Sequence, residues 1–241
     1  MVRAWGECGM GRIQLGAVIA AASLTVGEAQ AGAWIAPEDG QDIFTLTHGQ
    51  DAFGGYQTET DYFWERPLSR RFSLVAHPRM ESGAAYMDGW RADADLGVKA
   101  AFLRGDDGAA AVQAAAVWRS DAEPGCAEMG GELRLMGGMS RGWGARSAFI
   151  NLEAATRLHG GGCSRQRLDL TAGFSPHEDW LGLAQTFADF SPDGEAVIRT
   201  QASVVRFGEG RRGLQLGLRL RLDGDAREPA IVLGWWGDGR D

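Results

Sequence analysis

Four histidines, His48, His77, His159 and His177, are the residues of this sequence best suited to proton transfer. A hydrolytic site would need one of them as a base, beside a nucleophile and an orienting group. His77 has the best surroundings, in the same alternating run as Ser73 and Arg79. A lone strand histidine beside Pro78 reads more readily as a polar wall residue than as a base. Hydrolysis therefore ranks last of three functional readings, and no catalytic residue is assigned. His159 and Cys163 share a short stretch of the kind a metal site uses, yet a zinc site takes three or four ligands and no partners follow at matching spacing. No phosphate-binding glycine loop, nucleophile elbow or paired zinc-ligand motif occurs. No metal and no cofactor are expected.

What the sequence does supply is a set of ionisable side chains at two-residue spacing. Glu59, Asp61, Asp93, Asp95, Lys99, Glu132, Arg134, Glu153, Arg167, Asp169, Arg199, Arg219 and Arg221 alternate with apolar or small residues. A period of two places successive side chains on opposite faces of a β-strand. The pattern is clearest in Gly213 to Asp223, where five leucines from Leu214 to Leu222 oppose Gln215, Gly217, Arg219 and Arg221. Equivalent runs are Gln41 to His48, Tyr56 to Glu65, Arg71 to Arg79, Trp90 to Leu103 and Ala109 to Arg119. The scheme continues in Glu132 to Leu135, Ser147 to Ala154, Arg167 to Phe174, Ile198 to Val204 and Ala230 to Trp236. Trp180 to Phe190 is ambiguous. About twelve strands result, near the roughly 9 to 11 residues of a tilted membrane crossing. Gly105 to Gly108 marks a tight hairpin. No linker or second composition regime interrupts the meander.

A chain of 241 residues with 44% hydrophobic content fits one large all-β domain. Its net charge of -8 argues against nucleic acid as a partner, because no basic patch is available for phosphates. The N-terminus has the form of an export signal over residues 1–31. Arg3 and Arg12 flank its start, Ile13 to Val26 is apolar, and Ala29-Gln30-Ala31 fits a cleavage site. The mature chain would begin near Gly32, leaving one barrel domain over residues 32–241. Cys8 precedes the apolar stretch and is badly placed for lipid attachment. Cys126 and Cys163 remain, an even pair for an oxidising compartment, either bridged or as separate loop thiols.

The alternation suits two solvents. In a soluble sheet the leucines would point into a core, whereas in a membrane barrel they meet lipid and the charges face a wet interior. Three features favour a transmembrane up-and-down antiparallel β-barrel. The export signal allows passage to an outer membrane. Trp64, Trp90, Trp118, Trp143, Trp180, Trp235 and Trp236 lie towards strand ends, as interfacial girdles require. Connections also alternate in length: those around Leu68, Asp106, Arg141 and His177 are mostly short and would be periplasmic, and those around Asp51, Ser82, Pro124, Gly161 and Asp193 would face outward. Cys126 and Cys163 then share one rim, where a bridge is feasible. The alternative is a soluble periplasmic β-sandwich or lipocalin-like binding module.

Several stretches carry a family likeness: Gly32-Ala33-Trp34 with Pro37 and Gly40, Glu65 to Leu74 with its Ser-Arg-Arg-Phe turn, Asp93 to Leu103, and Leu233-Gly234-Trp235-Trp236. Together they resemble the proteobacterial outer-membrane barrel proteins of the XagA-like kind. The resemblance implies a barrel in a Gram-negative cell envelope, loosely associated with surface polysaccharide and biofilm, and implies no activity. The chain departs from the habit of ending on an aromatic residue, since Gly237 to Asp241 follow Trp236.

The reading is thus a non-enzymatic outer-membrane barrel whose partners are membrane lipid and a small polar or saccharide solute. Arg199, Arg219 and Arg221 would form a basic lumen wall and Glu59, Asp61, Asp93 and Asp95 an acidic one. His77, Lys99, Arg134, Glu153, Arg167 and Asp169 complete the lining. Opposite charges could equally pair and fill the interior, so a plugged barrel and a narrow channel both stand. Nothing in the pattern specifies an oligomer.

Overall fold

The computed structural model describes residues 33, 36, 40–51, 54–83, 89–105, 107–120, 126–191, 195–208, 212–223 and 228–237. The expected export signal lies outside the described residues, as do Asp106 and Pro124. Twelve strands follow one another: β1 Gln41–Gln50, β2 Tyr56–Pro67, β3 Phe72–Ser82, β4 Trp90–Arg104, β5 Gly108–Arg119, β6 Met129–Trp143, β7 Arg146–His159, β8 Cys163–His177, β9 Trp180–Phe190, β10 Ala196–Phe207, β11 Gly213–Arg221 and β12 Ala230–Gly237. Each pairs antiparallel with the next, and β12 returns to β1 with Leu46 opposite Leu233, so the sheet closes into a barrel with no edge. Closure satisfies the backbone everywhere, which hydrocarbon demands.

The twelve-strand up-and-down barrel is as expected, and the orientation of its apolar face excludes the soluble sandwich. Leu214, Leu216 and Leu218 are 63%, 62% and 66% exposed on the outer surface, while Gln215 and Gly217 between them are buried. Leu96, Val98, Leu133, Leu135, Ile150, Leu152, Leu168, Leu170, Ile231 and Leu233 also face out. Such a continuous apolar belt is far larger than a water-soluble monomer carries, and it is the lipid-facing surface of a membrane barrel.

Connections alternate between two rims. At the terminal rim, where β1 begins and β12 ends, they occupy residues 68–71, 105–107, 144–145, 178–179 and 208–212. At the far rim they occupy 51–55, 83–89, 120–128, 160–162, 191–195 and 222–229. The two-residue turn at 144–145 needs a left-handed first residue, and Gly144 supplies it with φ of 67°. Cys126 and Cys163 lie together at the far rim and are joined by a disulfide, their Cα atoms 5.7 Å apart.

Pro78 interrupts one seam. β2 and β3 pair from Thr58 to Asp61 and again from Trp64 to Pro67, but the rungs of Tyr62 and Phe63 are missing opposite Pro78 and His77. Proline has no N–H to give the ladder.

The interior differs from expectation at the terminal end. Leu181, Leu183, Val205 and Trp236 form a buried cluster with Ile43, Phe149 and Phe207 against it. Trp236 therefore points inward, its indole Nε1–H donating to Gln215 Oε1 at 2.8 Å, and does not belong to a girdle. It lies two positions from Gly234 and four from Val232, both inward, so strand period decides its direction. Trp90, Trp118, Trp143, Trp180 and Trp235 do face outward.

Candidate functional site

Charged side chains from β2, β3, β4, β6, β7 and β8 meet in the lumen, at inward positions set by the register. Register places Arg79 opposite Asp93, His77 opposite Asp95 and Ser73 opposite Lys99. Arg79 donates to Asp93 through Nε and Nη2. His77 Nε2 lies 2.8 Å from Asp61 Oδ1 and its Nδ1 lies 3.9 Å from Asp95 Oδ2. The ring is thus held between two carboxylates with Phe63 edge-on. Among the described residues its side-chain partners are these carboxylates, so His77 stands in an ion-paired wall.

Arg157 joins this group from β7. Its guanidinium meets Glu132 at 2.8 Å, Asp95 at 3.4 Å and Asp93 at 3.5 Å, reaching over β5 and β6 to β4. Arg134 pairs with Glu132 at 2.9 Å and Glu153 at 2.8 Å. Arg167 pairs with Asp169 at 2.8 Å. Phe187 lies between two guanidiniums, those of Arg167 and Arg219, each 5.7 Å from its ring centre. Nearer the terminal rim, Lys99 is only 1% exposed and its ammonium donates to Glu65 Oε2 at 2.6 Å. The remaining histidines do other work: His159 Nδ1 lies 3.0 Å from the Ala127 carbonyl, and His177 sits on an exposed turn 3.5 Å from Asp179. With Cys163 bridged, the pairing of His159 and Cys163 offers no free thiolate for a metal.

The far mouth is organised differently. A small pocket of about 40 Å³ opens among Gln57, Glu59, Arg199, Arg219, Arg221 and Glu228, room for a few waters. Arg219 reaches over β12 and β1 to Glu59 Oε2 at 2.9 Å. Arg221 is held by Asp223 and Glu228, both at 2.7 Å. Burial pushes the Asp223 carboxyl up, but hydrogen bonds from Arg221 and the Ile198 amide prevail and hold it below its ordinary value. Arg199 stands directly opposite Arg221 in the register, and among the described residues it makes no ion pair. Three guanidiniums at this mouth are matched by the carboxylates of Glu59, Asp223 and Glu228, but unevenly, Arg221 holding two of them, so the Arg199 guanidinium keeps N–H donors suited to an anionic or hydrogen-bonding guest.

Sequence reasoning named the charged positions but passed over Arg157, because it ended that strand at Ala154; the strand runs to His159. Glu65 and Arg79 were visible in their alternating runs and Phe187 lay in the ambiguous one, yet their pairing follows from the register of neighbouring strands.

No family model matches the sequence, and no curated protein matches it. Solved structures do. The KdgM porin superposes with a TM-score of 0.56 at 7% identity, covering 81% of this chain and 98% of that one. An outer membrane channel from Pseudomonas putida F1 gives 0.56 at 11% identity, covering 87% and 99%. The NanC porin gives 0.54 at 10% identity, covering 80% and 98%. The chain shares their closed β-barrel fold. At such identities their residues do not transfer to this chain, so its interior is read on its own chemistry.

Proposed function

We propose that this chain is an exported, non-enzymatic outer-membrane barrel that binds, and passes through a narrow lumen, a small polar or acidic saccharide solute. The observation that carries the reading is the far mouth, where Arg199 has no ion-pair partner among the described residues and stands beside Arg219 and Arg221 in a pocket edged by Gln57 and Glu59. A guest bearing a carboxylate would accept hydrogen bonds from the Arg199 guanidinium, which no described carboxylate does. The named structural neighbours are porins and a channel, and one form of the KdgM porin was solved with disordered oligogalacturonate; both support the reading. So do the apolar belt, which needs a membrane, and the export signal over residues 1–31. On this reading the terminal rim is periplasmic and the far rim faces outward. Kinship with the XagA-like barrels, and with it a place near surface polysaccharide, belongs to the same proposal.

Planar-bilayer recordings on the refolded chain test it. A small current interrupted by an acidic oligosaccharide, and less by a neutral one of equal length, is the expected result. Silence of the folded barrel at every voltage, in the intact chain and in the shortened chain described below, overturns it.

A further inference from the structure

Two residues ahead of β1, Ala33 and Ala36, are buried within the barrel. Ala33 is fully buried and packs against Ala101, Ala109, Ala111 and Met136, and its backbone N–H donates to Asn151 Oδ1 at 3.1 Å. Ala36, also buried, donates its N–H to Glu65 Oε1 at 3.1 Å. That carboxylate already receives the Ser73 hydroxyl and the Lys99 ammonium, each at 2.6 Å. Glu65 is on β2 and Asn151 on β7, five strands further round the ring. Three residues of extended chain reach about 10 Å, and within that span Ala33 and Ala36 are bonded to side chains from strands on different sides of the lumen. Gly40 makes the bend into the barrel: its φ is 87°, and a Cβ there would stand 2.7 Å from the Glu65 carbonyl and the Arg66 side chain.

The wall beneath Ala33 is made to receive backbone. Its alanines leave room that larger side chains would fill, and a buried amide in such a place needs an acceptor. Asn151, 3% exposed, supplies one, while its own Nδ2 is fixed by Glu153 at 2.9 Å. On the opposite side of the interior, Leu181, Leu183, Val205 and Trp236 take up the space.

We propose that the N-terminal lead, anchored at Ala33 and Ala36, is an internal stopper that closes the terminal half of the lumen and must withdraw for solute to pass. This rests on the channel reading above. If export cleaves the chain before Gly32, the new amino terminus stands one residue from Ala33, so that processing itself creates the free end a stopper needs.

The test uses the chain from Gly32 onward in bilayers and in detergent. Removing residues 33–39 leaves β1 whole and is expected to raise the bilayer current several-fold, with heat-dependent gel mobility confirming that the barrel still folds. In the full chain carrying Ala33→Cys, with Cys126 and Cys163 bridged, a water-soluble maleimide is expected to label the introduced thiol at least about tenfold more slowly than in the urea-unfolded chain. Asn151→Leu is expected to speed that labelling. Current from the shortened chain alone supports the stopper in its strictest form. Equal currents from the two chains overturn the stopper and leave the channel reading standing. Silence of both, with folded barrels, overturns both. Rapid labelling at position 33 in the folded barrel overturns the stopper whatever the currents do.

Discussion

The two halves of the lumen are built on different principles. Towards the terminal rim the space is taken by side chains that exclude water, Leu181, Leu183, Val205, Trp236 and the alanine wall under Ala33, with the Glu65 and Lys99 pair buried among them. Towards the far rim it is lined by ion pairs and ends in a pocket where Arg199 has no ion-pair partner among the described residues. One half resembles the core of a folded domain and the other a hydrated binding surface. The difference teaches that a membrane barrel of this size can divide stability and recognition along its axis, since the lipid-facing leucines are indifferent to what stands behind them.

Substitutions can break or sharpen that contrast. The largest effect is expected at the buried pair. Glu65→Ala takes the 2.6 Å carboxylate partner from the buried Lys99 ammonium and should cost about 3 to 5 kcal/mol, whereas Glu65→Leu combined with Lys99→Met should recover most of it. Urea unfolding in lipid vesicles measures both, and a harmless Glu65→Ala would mean that water reaches this level. Next comes the apolar packing: Leu181→Ala should lose about 2 to 5 kcal/mol by the same assay. Leu216→Arg, on the outer face at mid-height, should lose about 2 to 4 kcal/mol in vesicles, and a null effect would contradict the lipid-facing assignment of β11.

In the far half the expected stability changes are small and the functional ones larger. Arg199→Gln should change stability by less than about 1 kcal/mol while weakening blockade by an acidic oligosaccharide; unchanged blockade would remove Arg199 from the site. The smallest effect concerns pH. Because Asp223 is held below its ordinary carboxylate value by Arg221 and the Ile198 amide, its contribution is complete above the unfolded carboxylate value. It is lost only as pH falls through the lower folded one. A carboxyl NMR titration should show Asp223 titrating below the solvent-exposed carboxylates, and Arg221→Gln should move it upward.

Much of the barrel was legible in period-two alternation, since Leu214 to Leu222 can be satisfied only if one face is entirely apolar. That pattern fails where both faces are apolar, as in β9. There Leu181 and Leu183 turn inward while Trp180 and Ala184 turn outward, and composition cannot say which side is lipid. Trp236 misled for the same reason: an aromatic at a strand end suits a girdle or a core equally well. The far-mouth site was half legible. Arg199, Arg219 and Arg221 stood out as one row, but Glu59 meets Arg219 only because β12 closes on β1. The seat of Ala33 carried no signal at all, because a backbone amide meeting Asn151 across the lumen is invisible to any local pattern.

The gap opposite Pro78 acquires another meaning in a closed ring. A hoop under load opens where a rivet is absent, and Pro78 removes one from the seam between β2 and β3. The rungs it leaves out lie beside Tyr62 and Phe63, at the height where His77 leaves its own strand to meet Asp61. At that height a side-chain bond bridges two strands whose backbones do not, so mechanical continuity of the wall and the electrostatic state of its lining are there one and the same contact.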